Sequence, residues 1–309
     1  MMNPILRNEL KLNGRTIRVP IILMLYNLVL SCVAVLSIAS MHNEFEAGYI
    51  IRYTDLIQIF KILGWIQLIL VCLTVPVLTA SSIAGEREKQ TLDIMLTTSV
   101  RPFDIVFGKL MGSICTVCLL VVSSIPILSM AFVFGGMDWN DIIYFILIII
   151  SISIFVGSIG IFFSSLVKKT PTAIVLTVLF LGILVIGTVL FFPIIQSIYE
   201  TVTYNANTNS VGKLDISSGG ILMICNPIIL FYDFMEKSMG AEGVTNYLSS
   251  LFDVQTTSLL YTFAQEWWIV ASLIVQLGCS LLLLVGASFF LHPLKRREKG
   301  YRPKWRKKK

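Results

Sequence analysis

The chain has 309 residues, of which 56% are hydrophobic and only 14% charged, with a formal net charge of +6. A typical soluble domain is about 25% charged, and a soluble fold of this size would leave too much apolar surface in water. The excess faces lipid, and the low charge excludes a disordered chain.

Residues 1–18 open with Ile5, Leu6 and Leu10 set against Arg7, Glu9 and Lys11. That pattern predicts an amphipathic helix lying in the membrane interface. A hydrocarbon core of about 30 Å needs about 20 helical residues to cross it. Six stretches are long enough: 19–40, 64–84, 110–134, 142–167, 172–195 and 269–291. None contains Asp, Glu, Lys, Arg or His, as expected where a mid-membrane charge costs about 2.5–3.5 kcal/mol. The unbroken apolar runs predict helices, because barrel strands alternate apolar and polar. Residues 19–291 therefore read as an all-α membrane domain. Pro76 and Pro126 fall inside spans and predict kinks. The first span resembles a secretory leader, but it is long and Ser37-x-Ala39 is a poor cleavage site.

The lysines and arginines fix an orientation. Residues 1–18, the connectors after the second and fourth spans, and the tail 292–309 hold 20 of the 24. Only Arg52, Lys61, Lys213 and Lys237 fall on the other side. The positive-inside rule places the rich side, with both termini, in the cytoplasm. The tail reads as a topology determinant that also attracts anionic lipid, so no nucleic-acid partner is expected.

The charge-free spans disfavour a gradient-driven carrier, which places ionisable groups at mid-membrane. Asn27, Gln67 and Gln276 are the isolated amides there. His42 and His292 fall on opposite faces, which disfavours a metal or proton-relay site. Cys115-x-x-Cys118 lies in a span with no second pair, so no metal is expected. Cys225 alone lies in an external segment, so no external disulfide is expected within one chain. There is no G-x-x-x-x-G-K-[ST] phosphate loop, so the chain is not expected to hydrolyse ATP. No catalytic residue is assigned.

The connector after the second span reads "SSIAGEREKQTLDIMLTTSVRPFDIVFGKLMG", Ser81 to Gly112. Glu86, Arg87, Glu88 and Lys89 form a charged cluster at the membrane exit. Leu92, Met95 and Leu96 follow at i, i+3, i+4, an apolar stripe on a short helix over about 86–98. Lys89 and Asp93 form an i, i+4 pair on another face. Pro102 suits the first turn of the next helix, with Asp104 near its positive end. Physics alone leaves two readings open, an apolar face on the headgroups or a docking element for a soluble partner.

The residues Ala84, Glu86, Arg87, Glu88, Thr91, Leu92, Leu96, Thr98, Val100, Ile105, Gly108 and Lys109 resemble the coupling-helix region of permease subunits in the type-2 ABC exporter family. Met95 and Ser99 depart from the pattern, where Leu and Pro are usual. Arg7, Glu9 and Leu10 resemble the core of the family's N-terminal connecting helix. The resemblance implies a permease working with two copies of a separate ABC ATPase and a second permease chain, identical or homologous. It implies that Glu86, Arg87, Glu88, Thr91, Leu92, Met95 and Leu96 dock the ATPase. ATP and magnesium then belong to that partner, and this chain holds no cofactor. Short re-entrant or external helices are expected in the segment 196–268. The expected function is export of an amphipathic or lipid-like compound, drug or peptide across a prokaryotic plasma membrane. The alternative is a membrane sensor or assembly module that keeps the scaffold without transporting. Gly108-x-x-x-Gly112 and Ser153-x-x-x-Gly157 have close-packing spacing, more often used within one chain than between chains.

Overall fold

The computed structural model describes residues 6, 7, 9, 11, 16–46, 53–92, 101–135, 139–205, 223–251 and 259–291. Among these there is no strand, and six helices are long and apolar enough to cross a membrane. They are α1 (Arg18–Glu46), α2 (Tyr53–Glu88), α3 (Pro102–Gly135), α4 (Trp139–Leu166), α5 (Thr170–Asn205) and α9 (Trp268–Leu291). Three short helices precede the last: α6 (Pro227–Ser238), α7 (Val244–Leu251) and α8 (Leu259–Glu266). Several helices outrun their apolar stretches. The α2 helix begins 11 residues before Gly64 and α5 continues 10 past Ile195, because a backbone ladder needs no apolar side chain once it leaves lipid.

The α4 helix is the axis of the bundle, packed most extensively against α2 and α9. Buried residues therefore run around it, from Phe145 to Ser165. Close approach to α2 depends on glycine. A Cβ on Gly160 would collide with the Thr79 hydroxyl, and one on Gly157 would meet Thr79 Cγ2 at 3.3 Å and Leu110 Cδ1 of α3 at 2.9 Å. Gly157 thus serves packing within the chain. Gly112 does too, since its Cβ would come within 3.0 Å of Glu9 Cβ. By contrast α1 and α5 present long apolar faces outward, including Met24, Val35, Ile183 and Phe191.

One end of the bundle carries the connectors 89–101 and 167–169, here the connector end. The other carries α6–α8, here the cap. The α6 helix starts deep in the bundle. Its N-cap Asn226 accepts from Ile228 N and donates to Val185 O at 3.2 Å and Thr188 Oγ1 at 2.5 Å, both on α5. Thr188 lies seven residues before Ile195, about 10 Å down the helix. Pro227 suits the first turn, where its missing N–H costs nothing. From there α6 climbs outward, packing Phe231 and Phe234 against Phe145 and Trp65. Residues 227–238 therefore form a helix that begins beside the middle of α5 and ends at the cap. The turn before it places Cys225 near Cys279 of α9. Cys225 is thus not an isolated external thiol, a contact that sequence spacing does not reveal.

At the top of α6 the chain turns through Gly240, φ +75°. Met239 N and Ala241 N both donate to Glu236 O, and Gly240 N donates to Lys237 O, which closes the helix with a left-handed residue. Asp233 is fully buried below this turn, accepting from Lys237 Nζ at 2.9 Å and Val244 N at 2.8 Å. Lys237 Nζ also donates to Ala264 O at 3.2 Å, joining α6 to α8. Lys61 on α2 pairs with Glu236 and holds the cap to the bundle.

Candidate functional site

The connector end gathers residues from five separate stretches around the last turn of α2. First, the hydroxyl of Ser164 on α4 sits in the α2 ladder. It donates to Ala80 O at 2.6 Å and accepts from Ala84 N at 2.8 Å and Ile83 N at 3.2 Å. A side chain inserted there marks a natural bending point. Ala80, Ala84 and Ala173 then form a small-residue contact between α2 and α5.

Glu86, Arg87 and Glu88 each reach a different element. Glu86 accepts from Lys109 Nζ of α3 at 2.5 Å, and the same ammonium donates to Glu9 at 2.8 Å. Arg87 donates through two nitrogens to Val167 O at 2.9 Å and Ser165 O at 3.0 Å, the carbonyls at the end of α4. Glu88 accepts from Thr170 N at 3.0 Å and Thr170 Oγ1 at 2.8 Å, at the start of α5. Each charge suits its helix end, a cation at the negative C-terminus and a carboxylate at the positive N-terminus. Three consecutive side chains therefore tie α2 to α3, α4 and α5, and through Lys109 to the N-terminal segment.

Lys109 is the buried centre of this junction, with 2% of its side chain exposed. Burial disfavours a charge unless it is paired and hydrogen-bonded, and two carboxylates meet that condition. Sequence reasoning left Lys109 and Glu9 out of the candidate site. Both stood in quoted motif stretches, and a lysine at the start of a long apolar helix was the available signal.

The helix expected over about 86–98 is not continuous. The α2 helix ends at Glu88, and Gln90 adopts φ +57°. Gln90 N donates to Arg87 O at 3.2 Å and Thr91 N to Glu86 O at 3.0 Å, the double closure of a left-handed C-cap in which glycine is usual. Helical geometry resumes at Leu92. Leu92 does not form an outward ridge. It is buried and packs with Ile83, Ile105, Val106 and Leu110. Apolar burial in the bundle outweighs display to solvent. Lys89, Gln90 and Thr91 are exposed. Met95, Leu96 and Asp93 lie outside the described residues, as do residues 292–309. The α3 helix begins at Pro102 with Asp104 in its first turn, as its sequence predicts.

Among the described residues no cluster of three or more His, Cys, Asp or Glu is arranged to hold a metal ion. The junction consists of ion pairs and helix-end hydrogen bonds. A search of curated proteins gave no match. The family model described as ABC-2 family transporter protein matches residues 22–289, from the first span to the last. The chain accordingly belongs to the ABC-2 transporter family and is a multi-pass membrane protein.

Proposed function

We propose that this chain is the permease subunit of an ABC exporter, with its connector end in the cytoplasm of a prokaryotic cell. Two copies of a separate ABC ATPase, carrying ATP and magnesium, work beneath two permease chains. The observation that carries this reading is the junction at the end of α2, where one short segment grips four other parts of the fold. The segment over about 86–98 is the docking surface, and Lys89, Gln90 and Thr91 within it are exposed. Met95 and Leu96 supply apolar contact to the ATPase groove, and Leu92 anchors the segment to the bundle.

Nucleotide-driven closure of the ATPases displaces this segment. Glu86 passes the displacement to α3 and the N-terminal helix, Arg87 to α4 and Glu88 to α5. The α2 helix bends where Ser164 and Pro76 loosen its ladder. The energy that shifts an inward-facing state to an outward-facing one is the difference in nucleotide affinity between the two. The cargo is amphipathic or lipid-like, a compound, drug or peptide that partitions into the membrane.

The test is reconstitution with the ATPase that copurifies with this chain. Lys89→Glu combined with Thr91→Arg changes two exposed side chains. It is expected to abolish complex formation and cargo-stimulated ATP hydrolysis while leaving the melting temperature unchanged. An intact complex would show that docking lies elsewhere. Docking without any cargo-stimulated hydrolysis would favour a sensor or assembly module.

A further inference from the structure

At the cap end, a cavity of about 510 Å³ opens between α4, α6, α8 and α9. Its walls are Leu147 and Ile148 of α4, Ile269, Val270 and Leu273 of α9, and Phe234 of α6. Its mouth carries Asp141, Tyr144 and Glu266, with Lys237 and Ser238 alongside. The volume falls within the range of about 300–1,000 Å³ usual for small-molecule sites, and apolar walls with a few polar groups are the usual lining. Trp139 and Trp267, 81% and 57% exposed, flank Asp141 and Glu266 in the chain. Exposed tryptophans at span ends mark the headgroup level, so the cavity opens at the membrane boundary.

Two of the three charged residues that line the cavity are acidic. Among the described lining residues the one cation is Lys237, and its ammonium is held by Asp233 and Ala264 O. The two carboxylates come from different helices, Asp141 at the first turn of α4 and Glu266 at the end of α8. In the same lining the ring of Tyr144, 57% exposed, offers a π-face of the kind that attracts cations. An anion entering here would meet two like charges at the rim.

We propose that this cavity binds a hydrophobic organic monocation. Its apolar body lies between α4 and α9, and its charge lies between Asp141 and Glu266. The apolar walls provide burial without charge preference, and the acidic rim selects the sign. That the bound cation is cargo leaving the transporter rests on the export reading; the binding itself does not.

The probe is tetraphenylphosphonium, titrated by equilibrium dialysis against the full chain in phosphatidylcholine nanodiscs, with empty discs subtracted. No ATPase or nucleotide is present, so a negative result leaves the docking proposal standing, and failure of docking leaves a positive result standing. Saturable binding is expected. Asp141→Asn with Glu266→Gln should weaken it by about tenfold or more. Leu147→Trp, at an exposed wall position, should abolish it by filling the cavity. Each variant is checked for an unchanged melting temperature. Absence of saturable binding overturns the proposal. So does affinity indifferent to both the charge-neutralising pair and the filled wall.

Discussion

Lys109 is the residue on which the connector end turns. Its ammonium stands between Glu9 and Glu86 with almost none of the side chain in water. Replacing both partners of a buried pair by apolar groups is often nearly neutral, but removing one leaves the others uncompensated. Lys109→Met leaves two carboxylates facing each other across the vacated space. It is expected to destabilise the chain by about 3–5 kcal/mol, read as a lower melting temperature in detergent. It should also expose the N-terminal segment to protease, because Glu9 loses its tether to α3. Adding Glu86→Gln should recover part of the melting temperature by removing one stranded charge. A Lys109→Met protein that melts like the parent, with an equally protected N-terminus, would mean that the ion pairs contribute no net energy. Gln90 is the other residue with a demand of its own. Its left-handed backbone closes α2 and lets Arg87 and Glu88 face the start of the 167–169 connector.

At the scale of elements, the long helices were legible because a charge-free apolar run of about 20 residues has few alternatives. The positions of Pro102 and Asp104 likewise fixed the start of α3. The break at Gln90 was not legible. Glutamine is a good helix former, and nothing in its local sequence announces φ +57°. The apolar spacing of Leu92, Met95 and Leu96 identified a helical segment but not which way Leu92 faces, since periodicity records a face and not its partner. The α6 helix was expected only as one of several re-entrant or external pieces, because its partners lie up to 41 residues away at Val185 and Thr188. Its internal pair is open to a direct test. Burial raises the Asp233 carboxyl above the ordinary carboxylate range, and the bonds from Val244 N and Lys237 only partly oppose this. A raised folded-state value means that the folded cap binds a proton more tightly than the unfolded chain. The contribution of Asp233 to cap stability therefore falls as pH rises through the ordinary range to the raised value, and it recovers on acidification. Amide exchange at Val244 should slow as pH is lowered through that window, after correction for intrinsic exchange. In Asp233→Asn, which keeps an acceptor for Val244 N, this pH dependence should flatten. An identical profile in the two proteins would assign the titration to another group.

For the whole molecule, the ends of the bundle differ in both charge and architecture. The connector end bears exposed Lys89, Arg101, Lys168 and Lys169. At the cap, Lys61 and Lys237 pair with Glu236 and Asp233. The positive-inside rule counts such lysines and arginines, and the proposed orientation keeps the connector end in the cytoplasm. An odd number of spans would separate the termini, whereas the six helices return the chain to the side on which α1 begins. The orientation can be read with single cysteines placed at exposed positions in a variant whose six native cysteines are replaced by serine or alanine. In intact cells a membrane-impermeant maleimide is expected to label Trp139→Cys and Trp267→Cys at the cap, and to spare Lys89→Cys and Lys168→Cys until the membrane is opened. Labelling in the reverse order would place the docking segment outside the cell. An ATP-driven partner would then have no access to it, and the export mechanism would fail at its first step even with the fold unchanged.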